Sequence, residues 1–186
     1  EGRPPPLHDV LTPLWEAWGT DAGALSLMAE ARRRDCERQP FDGPQAVLAY
    51  VDATAGALMW TAARRCGAPE GTREIVAHQA RGAGLAAWLR ALPQLQAVRL
   101  GLEPARPQDA RALAEQARDG LRMAARMHGK LPRRAAAALY PGPRVPRLLS
   151  EIMAGRTDPF EATTAITPFQ RRASLARLAL TGHWWR

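Results

Sequence analysis

The sequence predicts an all-α fold, a single helical bundle spanning residues 1–186. Three observations carry the prediction. Alanine and leucine dominate the 46% of residues that are apolar, β-branched residues are sparse, and apolar side chains recur at three- and four-residue spacing between prolines and glycines. Alanine, leucine and arginine lose little conformational freedom in a helix, whereas valine and threonine lose more. No segment shows the two-residue alternation of a half-buried strand. At 186 residues the chain is long enough for one domain with a sizeable core.

Taken in order, Pro4-Pro5-Pro6 is extended, because proline fixes φ and lacks an N–H donor. A short amphipathic helix is expected from about Leu7 to Trp18, carrying Leu11, Leu14, Trp15 and Trp18, with Gly19 ending it. Thr20 or Asp21 can cap the next helix, which should run to about Arg38 before Pro40. Asp42-Gly43-Pro44 then opens a long helix to about Cys66, predicted to bury Val47, Leu48, Val51, Ala55, Leu58 and Met59. Its run of small residues, Ala53 to Ala57, allows a close helical neighbour. A second long helix is expected from about Gly71 to Leu92, where Pro93 ends or kinks it. Gly82 and Gly84 at its centre each cost about 1 kcal/mol relative to alanine. Close packing on the small face of the preceding helix is the expected compensation.

Residues 97–107 show no strong period, and Pro107-Gln108-Asp109 starts a helix running to about Met127. Two short helical runs are expected at Pro132–Tyr140 and Val145–Ala154, separated by Pro141-Gly142-Pro143. Thr167-Pro168 caps and opens a last helix through about Leu180. Trp184 and Trp185, followed by Arg186, are expected to dock on the core, with a membrane interface or a partner as the other destinations.

The net charge is +8 and almost all of its cationic side belongs to arginine, Lys130 being the single lysine. The arginines are interspersed with acids, so a solvated surface is the simpler reading and an anionic partner the other. Nucleic acid is not expected as a partner, since only charge would argue for it. Cys36 and Cys66 are too few for a disulfide framework or a zinc site and are expected as buried or half-buried free thiols. His8, His78, His128 and His183 fall in no metal-ligand pattern, and no nucleophile elbow, phosphate loop or dinucleotide fingerprint occurs. Glu115 and Asp119 lie four apart on one helical face, a spacing that can grip a metal, but Arg111, Arg118 and Arg122 around them favour a salt-bridged surface. There is no uninterrupted apolar run of 18 residues, so no membrane span is expected, nor a secretory leader. The sequence begins with Glu1 and not with Met, as a piece of a longer chain would.

Two neighbouring helices resemble a known family. Tyr50-Val51-Asp52-Ala53-Thr54-Ala55-Gly56-Ala57-Leu58-Met59 looks like the helix of squalene and phytoene synthases that reads tyrosine, then Ala-Gly and a small-apolar run to Leu-Met. Further on, Gly84-Leu85-Ala86-Ala87-Trp88-Leu89-Arg90-Ala91 resembles their second aspartate-rich motif, Gln-Leu-Thr-Asn-Ile-Leu-Arg-Asp. Arg99-Leu100-Gly101-Leu102-Glu103-Pro104 is similar to the Arg-x-Tyr-Leu-Pro that follows it. The resemblance covers about residues 44–104 and implies an isoprenoid-synthase type of bundle lacking its N-terminal helices and the first acidic motif.

The resemblance also implies chemistry: two acidic motifs on facing helices hold magnesium, which ionises a prenyl diphosphate. Here Ala91 stands at the motif's aspartate and Leu95 at its second acid, and methyl groups do not coordinate magnesium. By analogy Tyr50 and Arg90 remain as substrate-binding residues, with no catalytic residue and no metal ligand. The expectation is therefore a non-catalytic relative acting as a binding or assembly scaffold, as in respiratory complex assembly, with no cofactor. Its partner would be a protein or an apolar lipid or isoprenoid, in the cytoplasm or peripheral to the inner membrane. The alternatives are a degenerate prenyltransferase, in which Glu115 and Asp119 would bind magnesium instead, and an isoprenoid- or lipid-binding module.

Overall fold

A computed structural model gives the architecture of the chain and describes residues 4–161 and 165–185. The terminal Glu1 and Arg186 fall outside that set. Among the described residues the fold is all-α, with one isolated parallel bridge between Phe41 and Leu102.

The helices α1 (Leu11–Trp18) and α2 (Ala24–Arg32) are joined by a 3₁₀ turn over Gly19–Gly23, and the single turn α3 (Arg34–Glu37) follows. They start later and break sooner than the apolar spacing suggests. His8 holds the chain before α1: its Nδ1 accepts from the Val10 and Leu11 amides at 3.0 and 3.3 Å. Neither Thr20 nor Asp21 caps α2, which lacks a side-chain cap. Cys36 is exposed and Cys66 half-buried, and both are free thiols, so the expectation of burial fails at Cys36.

Pro44 to Arg65 is one helical rod with a defect. It consists of α4 (Pro44–Val51), a π-helical segment over Asp52–Gly56, and α5 (Ala57–Arg65). A π turn holds an extra residue and so rotates every side chain beyond it. Val47, Leu48 and Val51 are buried as the α-helical period requires, but Leu58 is 45% exposed and Thr61 and Ala63 are buried instead. The rod, 22 residues long, is also long and apolar enough by length and composition to cross a membrane, although no run of 18 apolar residues in it is uninterrupted. In this fold Val47, Val51, Thr54, Thr61 and Ala63 on it are packed inside.

The centre of the molecule is α6 (Arg73–Ala97), 25 residues, lying against α7 (Pro107–Arg126), 20 residues. Pro93 does not end α6, which runs one further turn to Ala97. The lost Pro93 amide bond is offset by packing of the surrounding turn, where Leu89 and Leu92 are fully buried. A Cβ on Gly84 would lie 2.6 Å from Val51 Cγ1 and 2.8 Å from Ala55 Cβ, so this glycine admits the preceding rod as expected. Gly82 serves a different neighbour: its Cβ would lie 2.7 Å from the Ala117 carbonyl and 2.6 Å from Leu121 on α7. Gly120 returns the contact, since a Cβ there would lie 2.8 Å from the His78 carbonyl. The compensation for two helical glycines is thus split between two helices.

Phe41 anchors the connection after α6. Its amide donates to the Gly101 carbonyl at 2.7 Å, and its carbonyl accepts from the Glu103 amide at 2.8 Å. Beyond α7, the run Pro132–Tyr140 is not a helix but a 3₁₀ turn at Arg133–Ala135 with further turns, leading through Pro141-Gly142-Pro143 to α8 (Val145–Met153). Pro132 and Pro141 bound the run, and the residue before a proline is pushed out of the helical region, which leaves residues 133–139, under two turns. The last helix, α9 (Pro168–Thr181), has the expected Thr167 cap, and the structure completes it as a capping box: Thr167 Oγ1 accepts from the Gln170 amide and Gln170 Oε1 from the Thr167 amide.

Two apolar clusters result. One joins Phe41, Val47, Val51, Trp88, Leu89, Leu92, Leu113, Leu148 and Leu149; the other joins Ala63, Ile75, Val76, Ala124, Leu139 and Trp184.

Candidate functional site

The second cluster is built by residues far apart in sequence. Gln79 on α6 is 1% exposed, and its Nε2 donates to the Leu139 carbonyl at 2.6 Å. That bond fixes the loop before Pro141. It also fixes the orientation of the amide, because a carbonyl only accepts and must face the nitrogen. The Gln79 oxygen is left without a hydrogen-bond partner. Tyr140 donates to Ser174 Oγ on α9 at 2.6 Å, tying the loop to the last helix.

The tail then folds back. Gly182 ends α9 in the left-handed region (φ 71°). Trp184 is 3% exposed, and Trp185 stacks on His128 with ring centroids 3.9 Å apart. His128 is in turn held by the Ala125 carbonyl, 2.7 Å from its Nδ1. Docking of the two tryptophans on the core is therefore what the structure shows.

Between α6, α7, the loop at 140–144, the start of α8, α9 and this tail lies a cavity of about 530 Å³ with mostly apolar walls. Leu121, Pro143, Val145, Leu178, Trp184 and Trp185 supply carbon surface; Gln79, Tyr140, Ser174, Arg177 and His183 supply the polar atoms. A second hollow of about 420 Å³ shares Leu121, Pro146 and Trp185 with it and continues between α7 and α8 to Arg118 and Arg122. A third, about 110 Å³ and largely polar, shares Arg144 and is lined by Arg90, Arg147, Leu148 and Glu151.

Arg90 reaches this third hollow from α6. It is half-buried, and its Nη2 donates to the Pro143 carbonyl at 2.8 Å. Burial lowers its pKa from the usual guanidinium value, opposed by the nearby Tyr140 hydroxyl, and it stays a cation at neutral pH. Arg147 donates to Glu151 Oε1 at 2.6 Å, a bond that holds the Glu151 carboxyl below its ordinary range.

Tyr50 sits elsewhere. Its hydroxyl donates to Asp35 Oδ2 at 2.9 Å and its ring meets Phe41 edge-on, centroids 5.3 Å apart. Burial raises its pKa, helped by the hydrogen bond to Asp35. Tyr50 and Arg90 share no hydrogen-bonding partner, so the two residues named by the resemblance are held in separate surroundings. Ala91 and Leu95 are half-buried on α6, Leu95 packing on the first apolar cluster. Glu115 and Asp119 stand exposed on α7, paired with Arg111 at 3.4 Å and Arg118 at 3.2 Å. Among the described residues no three of His, Cys, Asp and Glu come together as a metal site. His78 lies 3.7 Å from Glu74, one turn before it.

No family model, curated protein or solved structure matches this chain. The residues around the cavity that the sequence did not single out as functional are Gln79, Tyr140, Ser174 and Arg177. The Pro141-Gly142-Pro143 break is the signal that could have drawn attention to them.

Proposed function

We propose that the chain is a non-catalytic binding module whose cavity takes an elongated apolar small molecule of the lipid or isoprenoid class. The observation that carries this reading is the 530 Å³ cavity walled by Leu121, Val145, Leu178 and the Trp184-Trp185 tail. Small-molecule sites are concave, of about 300–1,000 Å³, mostly apolar, and furnished with a few polar groups that fix orientation. Gln79 is such a group: a buried amide oxygen without a partner costs about 1–3 kcal/mol, which a donor on an occupant offsets. Calorimetric titration with dodecanol tests the reading. Binding that disappears in Ala173→Phe, which fills the cavity from the exposed side of α9, is the expected result. An unchanged heat in wild type and variant refutes it, and magnesium-dependent turnover of farnesyl diphosphate would replace it with the prenyltransferase.

The assembly scaffold is the second reading, favoured by Phe169 and Leu180, each 79% exposed. Eleven residues apart on α9, they lie on one face with the exposed Ala176 between them. Under this reading Leu180→Glu keeps its ligand affinity but loses a stoichiometric cross-link to a protein partner.

A further inference from the structure

The three hollows are not independent, and their walls differ in a way that describes a ligand. The large cavity is mostly carbon-walled, while the small hollow beside it, sharing Arg144, is lined among the described residues by three arginines. Arg147 is already satisfied by Glu151, the one carboxylate among the described residues lining that hollow. Arg90 is different. Among the described residues it bonds a backbone carbonyl, and no carboxylate pairs with it. Arg144, first residue before α8, has φ 57°, a conformation that a non-glycine residue adopts at a cost of about 1–3 kcal/mol. Three cations against one anion leave two positive charges in excess around about 110 Å³.

Resting on the binding-module reading, we propose that the ligand is a phosphomonoester with a single long hydrocarbon chain. The chain lies in the large cavity and the phosphate sits among Arg90, Arg144 and Arg147. The excess charge matches a phosphomonoester dianion, whose second proton leaves near pH 6. Guanidinium groups bind phosphate oxygens in pairs without a metal, in keeping with a site lined by arginine and one engaged carboxylate. A planar monoanionic carboxylate offers one charge fewer and two oxygens instead of three. The hydrocarbon requirement follows from the shared wall at Arg144: a group held there borders both the polar and the apolar space.

Calorimetry separates the parts. Dodecyl phosphate, dodecanol, dodecanoate and inorganic phosphate are titrated into the full chain at pH 7.5, each amphiphile below its micellar concentration. Dodecyl phosphate is expected to bind at least tenfold more tightly than dodecanol or dodecanoate. Each methylene added from octyl to dodecyl gains about fourfold. The phosphate advantage should shrink below pH 6 and fall about tenfold in Arg144→Gly, a change that relieves the backbone and is safe for folding. Arg90→Gln should show the same loss, with circular dichroism confirming that it folds. Equal affinity for dodecanol and dodecyl phosphate, or for dodecanoate and dodecyl phosphate, overturns the phosphate head while leaving the binding module standing. Inorganic phosphate binding as tightly as dodecyl phosphate overturns the hydrocarbon requirement. If dodecanol and dodecyl phosphate both fail to bind, the module reading falls with it.

Discussion

A hydroxyl and an amide show how single residues are committed here. Tyr50 is spent on structure: its hydroxyl bonds Asp35, linking α3 to α4. Replacing it with phenylalanine should cost about 0.5–1.5 kcal/mol at neutral pH, the usual worth of one hydrogen bond. Its raised pKa adds a sign to the test. A group whose folded pKa lies above the unfolded value, about 10 for tyrosine, contributes stability in full below that pH and loses it as pH rises through the folded pKa. Wild type should therefore weaken above pH 10 more steeply than Tyr50→Phe, as read by urea midpoints across the alkaline range. Gln79 makes the opposite commitment, since only half of its amide is used. Gln79→Glu removes the donor to Leu139 and buries a carboxylate, so we expect a loss of roughly 3 kcal/mol at neutral pH. Burial raises that carboxyl's pKa, and the protonated acid can again donate to Leu139. Part of the stability lost in Gln79→Glu should return near pH 4 relative to wild type.

Between helices, the deciding quantity is how closely two backbones approach. Gly82→Ala brings a Cβ to 2.7 Å from the Ala117 carbonyl, and a backbone oxygen cannot swing aside as a side chain can. Overpacking of about 1–3 kcal/mol should then exceed the gain of about 1 kcal/mol in helix propensity. Gly56→Ala makes the control: its Cβ meets only the Val51 carbonyl at 3.9 Å, so propensity should win and the thermal midpoint should rise. Both changes are read by thermal denaturation. The glycine–alanine pattern of α6 announced close packing, but not that Gly82 and Gly84 face different helices. That depends on the crossing of α6 with α7, for which the sequence pattern offers no coordinate. The π segment was equally hidden, because Asp52 to Gly56 fit an unbroken α-helical period and only the exposed Leu58 betrays the extra residue. Helix ends marked by chemistry were the legible ones: Pro44, Pro107 and Thr167-Pro168 start their helices where proline and capping require.

At the scale of the whole molecule, the cavity was not legible because its walls come together only through tertiary contacts. Gln79 and Leu139 are 60 positions apart, and Tyr140 and Ser174 are 34 apart. No periodicity relates such pairs. Burial is graded along the chain. No residue of α1, α3 or α9 is fully buried, whereas α6 alone buries Ile75, Val76, Leu85, Leu89 and Leu92. Local opening costs little where few apolar contacts must break, and approaches the global unfolding energy in the core. Native-state hydrogen exchange should accordingly find the amides of α1–α3 exchanging by local opening, α9 next, and the centres of α6 and α7 only through global unfolding. The tail links the second of these groups to the cavity. Because Trp184 closes the second apolar cluster and lines the cavity, an occupant adds contacts to the tail and to α9 that α1–α3 do not share. A saturating amphiphile should slow exchange in α9 and around Tyr140 by more than it does in α1–α3. Uniform slowing of every helix would mean that the ligand acts by stabilising the fold as a whole, and that the cavity is not where it binds.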